Sequence, residues 1–121
     1  MIVKWCEWIS KDAQEALLTI SGDDVECVAF SHPCNIQVGD SLHEPLLAIS
    51  IKGVVKEYSG AQFMRRLDDG FSHEILAKVV DLKKRLVVAG SIAIELDDVL
   101  SKDIDVGDFI RFFCGRLDVI S

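Results

Sequence analysis

The chain has 121 residues, half of them hydrophobic, and a formal net charge of −7. A chain of this length leaves no room for two domains and buries roughly two thirds of its unfolded surface, so it needs neither disulfides nor a metal to fold. The apolar content argues against disorder, and the negative charge makes nucleic acid an unfavoured partner, because phosphate backbones are repelled.

Ile2 to Ile9, IVKWCEWI, is rich in β-branched and aromatic residues and predicts a strand. The N-terminal segment MIVKWCEWISKD carries Glu7 and Asp12 and has no long apolar region, so no signal peptide is expected. Glu15 to Ser21 and Asp24 to Ser31 predict a hairpin around Gly22-Asp23. Helix competes over Ser10 to Leu18, where Ser10 is a potential cap, but strand is preferred for the second half. Pro33 breaks the pattern, since it cannot donate to a ladder.

Leu46 to Val55, LLAISIKGVV, predicts one strand. Ser59 to Gly70, SGAQFMRRLDDG, predicts a short helix near residues 60–68, capped by Ser59 and ended by Gly70. Phe63, Met64 and Leu67 would share its inner face. Glu74 to Leu82 and Arg85 to Leu96 predict a second hairpin turning at Lys83-Lys84. Phe109 to Ile120 predicts the last strand, and its apolar parity slips at Gly115, the signature of a β-bulge. The longest uncharged apolar stretch, Leu86 to Ile94, is too short to span a bilayer. A soluble, cytoplasmic protein with no membrane partner is expected.

A pentapeptide pattern occurs twice, as Ile36-Gln37-Val38-Gly39-Asp40 and Ile104-Asp105-Val106-Gly107-Asp108. Each copy follows a strand, turn, strand series, over residues 15–40 and 74–108. Glycine permits positive φ and the aspartate accepts backbone N–H groups, so turn chemistry alone accounts for the repetition. The expected fold is a single β-rich domain over residues 1–121: a small antiparallel barrel with one short helix. The order of parts resembles the Greek-key barrels of the OB type, a fold-level analogy that implies no function.

Candidate sites are few. Asp103, Asp105 and Asp108 lack the further ligands and flanking helices of a calcium loop. Cys27, His32 and Cys34 form the only local cysteine and histidine cluster, without the paired short spacings of a structural zinc site. As a nucleophilic pair, Cys34 and His32 lack an evident orienting group. No catalytic residue, cofactor or metal is therefore assigned, and the four cysteines are expected to be reduced and unmetallated. Trp5 and Trp8, three apart, face opposite sides of a regular strand; one is expected in the core, and covering of both is preferred over exposure.

Glu95 to Asp108 carries six carboxylates, at Glu95, Asp97, Asp98, Asp103, Asp105 and Asp108, against Lys102 alone. It is expected at the surface as a docking face for a basic partner. The leading expectation is a non-enzymatic protein-binding module with an acidic face, for example an immunity-type inhibitor of a basic toxin. Its protein-binding residues would be Glu95, Asp97, Asp98, Asp103, Asp105, Trp5 and Trp8. The alternatives are an oligonucleotide- or small-ligand-binding barrel of the OB type, and a small enzyme using the Cys27/His32/Cys34 region. A barrel for oligonucleotides would lack the usual basic groove and stacking aromatics.

Overall fold

Apolar residues alternate with polar ones along most of the chain, and that period of two drives it into strands. The computed structural model describes residues 1–58 and 60–120. The strands are β1 (Ile2–Ser10), β2 (Glu15–Gly22), β3 (Val25–Ser31), β4 (Leu46–Ile49), β5 (Lys52–Glu57) and β6 (Phe63–Arg66). They continue as β7 (His73–Asp81), β8 (Leu86–Ala89), β9 (Ile92–Leu96), β10 (Phe109–Cys114) and β11 (Arg116–Asp118). The protein is thus mostly β, and no helix is present among the described residues. It follows that no helix is long and apolar enough to cross a membrane.

The strands form one sheet, in the order β1-β2-β3-β11-β4-β9-β8-β7-β10-β5, with β6 off this path on β7. β3 with β11 and β4 with β9 run parallel, and the other pairs are antiparallel. The expected closed antiparallel barrel is therefore corrected to an open, mixed sheet. The physical cause is an exchange of strands. β4 leaves the first half to pair with β9, and β11 leaves the second half to pair with β3. The first eight strands of the path consequently read as a palindrome, β1-β2-β3-β11 against β7-β8-β9-β4. The hairpin tips of the two halves touch, where the Ser91 amide donates to the Gly22 carbonyl at 3.4 Å.

The pentapeptides are one device used once in each half. In the first, Gly39 N–H donates to Val3 O at 2.8 Å and Val3 N–H donates to Asp40 O at 2.9 Å. In the second, Gly107 N–H donates to Val79 O at 2.8 Å and Val79 N–H donates to Asp108 O at 2.8 Å. Each turn is braced internally by its aspartate, whose carboxylate accepts from Gln37 N–H at 2.9 Å or from Asp105 N–H at 2.8 Å. Gly39 and Gly107 adopt φ of 97° and 95°, a region closed to most side chains. Each turn thus clips onto a buried valine that borders a register shift in its strand. The structural match pairs β1-β2-β3 with β7-β8-β9, whereas the sequence pattern aligns residues 15–40, which start at β2, with residues 74–108.

Three expected elements change. The helix near residues 60–68 is instead β6, which pairs with β7 through Phe63 to Leu76 and Met64 to Ile75. One edge of β7 is taken by β10, and β8 covers only part of the other, so the rest recruits β6. Tertiary pairing here overrides a weak local preference. Ser59, the expected cap, lies outside the described residues. The strand from Leu46 to Val55 breaks at Ser50, where φ is 59°, into β4 and β5, which occupy distant places in the sheet. The parity slip at Gly115 is a similar break, between β10 and β11, rather than a bulge within one strand. The two breaks pack together: a Cβ on Gly115 would lie 3.3 Å from Ser50 Cβ.

The core is built from the inward faces of these strands, with Phe112, Ile110 and Ile75 at one end of the path and Leu18 and Ile20 at the other. β2 alternates between half-buried and buried residues throughout, as expected for one buried face. β7 differs, since His73 to Ala77 are buried on both faces.

Candidate functional site

β1 ends the sheet path; among the described strands it pairs with β2 alone, and its Ile2 also makes an isolated antiparallel bridge to Ser41. Its first residues are covered, because the Gly39-Asp40 turn hydrogen-bonds Val3 and Leu42 N–H donates to Met1 O at 2.8 Å. Beyond Val3, no strand among the described residues pairs with the outer edge. This arm, Lys4 to Ser10, has almost no counterpart in the second half, where Asp81 closely follows Val79 and the hairpin turn begins. β2 is lengthened to match, with eight residues against four in β8.

The two tryptophans stand on that arm. Residues 5 to 8 pair in unbroken register with Thr19, Leu18, Leu17 and Ala16, so Trp5 and Trp8 point to opposite faces. The opposed orientation agrees with the sequence expectation; burial does not. Trp5 is 64% exposed and Trp8 41%, so neither is core nor covered. Trp8 shares the inner face with Ala16, but the core does not extend to it. Ile9 is also exposed, at a second register shift.

The acidic segment is at the surface but far from bare. Asp97 accepts the Ser50 amide at 2.7 Å and the Ile51 amide at 3.5 Å, bracing the break between β4 and β5. Asp98 accepts the Val99 amide. Asp103 accepts the Ser101 hydroxyl, which holds its carboxyl below the usual carboxylate range. Asp108 braces its own turn and pairs with Lys56 at 3.1 Å. The Asp105 amide, then Lys56, lowers its pKa, while Asp108 in turn raises that of Lys56. Glu95 is half-buried within β9, and Asp105 is exposed. Lys56 comes from β5, so sequence proximity could not reveal it. The segment joins β9 to β10, several strands from β1 in the sheet order, and no strand pairing brings it to the tryptophans.

The Cys27, His32 and Cys34 cluster is dispersed. Cys27 points into the core from β3, and burial pushes its thiol strongly upward, with Cys114 as the next influence. His32 is exposed and stacks on Phe30 at 6.4 Å. Cys34 is buried, and its thiol donates to the Ile36 carbonyl at 3.7 Å. All four cysteines are free, and no group of three His, Cys, Asp or Glu side chains is placed to hold a metal among the described residues.

Two side-chain arrangements escaped the sequence reading. On the outer face, Arg116 forms a bidentate pair with Asp118, at 2.6 and 2.9 Å, and lies 4.6 Å above the Phe30 ring. A charge ladder crosses four strands, from Arg65 to the buried Glu74, then to Arg111 and Glu57. Only i, i+2 spacing hinted at the first; nothing local marks the second. A half-open groove of about 340 Å³ lies between Ile36, Leu42, Val119 and Ile120, rimmed by Ser41, His43 and Glu44. Comparisons with family models, curated proteins and solved structures gave no match.

Proposed function

We propose that the protein is a non-enzymatic protein-binding module whose contact surface is centred on the β1 arm. One observation carries this reading: the arm combines an unpaired strand edge with two exposed tryptophans. Packing accounts for the repeated framework, because each half needs its hairpin and its turn. It does not account for the arm. Exposed edges are aggregation hazards that folds normally cover or shorten. An incoming strand would complete the ladder, and tryptophan is among the strongest interface anchors. Asp98, Asp103 and Asp105 would add long-range attraction for a basic partner, of which a toxin held by an immunity-type inhibitor is one concrete form. A cytoplasmic setting belongs to the same proposal.

The test compares the wild type with a Trp5→Ala, Trp8→Ala double variant in quantitative affinity capture. The variant should keep the thermal midpoint of the wild type, because neither ring is core. It should lose the specific partner. Retention of the same partner at the same affinity would overturn the reading. The groove at Ile36 and Val119 favours a second reading, a small apolar ligand with a polar end. Amide shift changes confined to residues 36–44, 119 and 120 on ligand addition would support it instead.

A further inference from the structure

His73 joins two parts of the sheet that no strand ladder joins. The Val28 amide on β3 donates to its Nε2 at 3.1 Å, so this amide points away from β2. On that side β11 meets β3 only at Phe30, where Val119 N–H donates to Phe30 O at 2.8 Å. The edge of β3 from Val25 to Val28 therefore has no ladder among the described residues, and β6 lies beside it. Two side-chain contacts cross this seam. One is the hydrogen bond from Val28 to His73. The other is the Phe71 ring, from the turn before β7, set edge-on to Phe30 at 6.3 Å. His73 Nδ1, 3.1 Å from Phe71 O, ties the imidazole to the same turn, and the residue is fully buried.

Among the described residues, no carboxylate pairs with this ring. Arg66, its register partner on β6, adds positive charge. Cys114, its partner on β10, has its pKa pushed up to about 11 by burial and stays neutral. Burial likewise keeps the Cys27 thiol on β3 neutral, and Glu26 beside it is exposed. Glu74, next on β7, points to the opposite face, where Arg65 and Arg111 hold it. In the turn, Asp68 accepts the Gly70 amide and Asp69 offers Arg66 its carbonyl. His32 is exposed and stacks on Phe30.

We propose that His73 is an acid-sensitive latch, whose protonation opens the seam between β3 and the β6–β7 hairpin while the rest of the sheet holds. The imidazolium carries a proton on both nitrogens, so Nε2 can no longer accept from Val28. Two donors then oppose each other in a fully buried site, and the new charge has no counter-ion. Opening hydrates the ring and frees the Val28 amide. Ladders to β8 and β10 anchor β7, so the moving parts are β6, the turn and the His73 side chain. Phe30 and the buried Met64 are uncovered as they move. Burial holds the ring's pKa below its ordinary 6.5, so the closed state binds fewer protons than the open one. The latch is therefore fully set above that value and released as pH falls below it. It involves no residue of the β1 arm and stands independently of the binding reading.

The experiment measures amide hydrogen exchange of the folded wild type by NMR between about pH 7.5 and about pH 5, with each rate divided by its intrinsic rate at that pH. Protection at Val28 and over residues 63–72 should fall by up to about tenfold for each unit below about pH 6.5. Protection in β8 and β9 should stay constant, and the transition should follow the His73 ring resonances. His73→Gln offers Val28 a neutral acceptor at every pH, so its seam should become insensitive to acid. Unchanged protection down to about pH 5, an even loss across all strands, or the same loss in His73→Gln would each overturn the proposal. Should His73→Gln fail to fold, the ring titrations of the wild type decide: a Val28 transition that follows His32 or His43 rather than His73 overturns it as well.

Discussion

His73 is a fully buried imidazole with both ring nitrogens engaged. Nε2 accepts the Val28 amide at 3.1 Å and Nδ1 lies 3.1 Å from Phe71 O, so the neutral ring carries its proton on Nδ1. Burial lowers its pKa below the ordinary 6.5, the Phe71 carbonyl opposes this, and the nearby Arg66 charge adds to it. A depressed histidine binds fewer protons folded than unfolded. Its contribution is therefore complete above the ordinary value and lost as pH falls below it. The urea midpoint should fall between about pH 7 and about pH 5, and should fall less in His73→Gln. His73→Ala, which orphans the Val28 amide and opens a cavity, should cost about 2–4 kcal/mol in urea unfolding. The turn glycines give a second measure. Gly39→Ala and Gly107→Ala meet no atom within 4 Å, so only backbone strain acts, and each should cost about 1–2 kcal/mol.

At the scale of elements, the contact between the two hairpin tips is more demanding than the turns. A Cβ on Gly90 would lie 2.6 Å from Gly22 O and 2.9 Å from Val25 Cγ2, and φ there is 59°. Gly90→Ala combines strain with a backbone clash and should lower the thermal midpoint clearly more than Gly39→Ala does. The break between β4 and β5 depends on Asp97 in the same way. Asp97→Ala frees the Ser50 and Ile51 amides and should destabilise the fold, whereas Asp98→Ala, with only its neighbour's amide to lose, should be close to neutral. Equal midpoints for the two would remove Asp97 from the framework. This divides the acidic segment into a structural carboxylate and carboxylates available to a partner.

At the scale of the whole molecule, the net charge of −7 and the exposed Asp98, Asp103 and Asp105 should act on association rate. Replacing these three with asparagine should leave the fold unchanged and slow capture of a basic partner, mainly at low salt, as stopped-flow mixing would show. An unchanged rate at low salt would make these residues mere solvation. The sequence by itself determined the strand-rich class, through its period-two alternation, and both Gly-Asp turns, through the special demands of positive φ. It also indicated that Asp97, Asp98, Asp103 and Asp105 lie at the surface, but not that Trp5 and Trp8 are exposed, since covering of both was the preferred expectation. Only the tertiary structure decided that Leu46 to Val55 and Phe109 to Ile120 each break and cross, because a long strand and two exchanged strands share one alternation pattern. Only it converted residues 63–66 from helix to strand, because the need came from an open edge of β7. The meeting of Lys56 with Asp108, and of Arg111 with Glu57 and Glu74, likewise depends on pairing between distant segments. Such contacts leave no local period, since the hydrophobic effect that creates them is non-directional and the sheet order selects the partners.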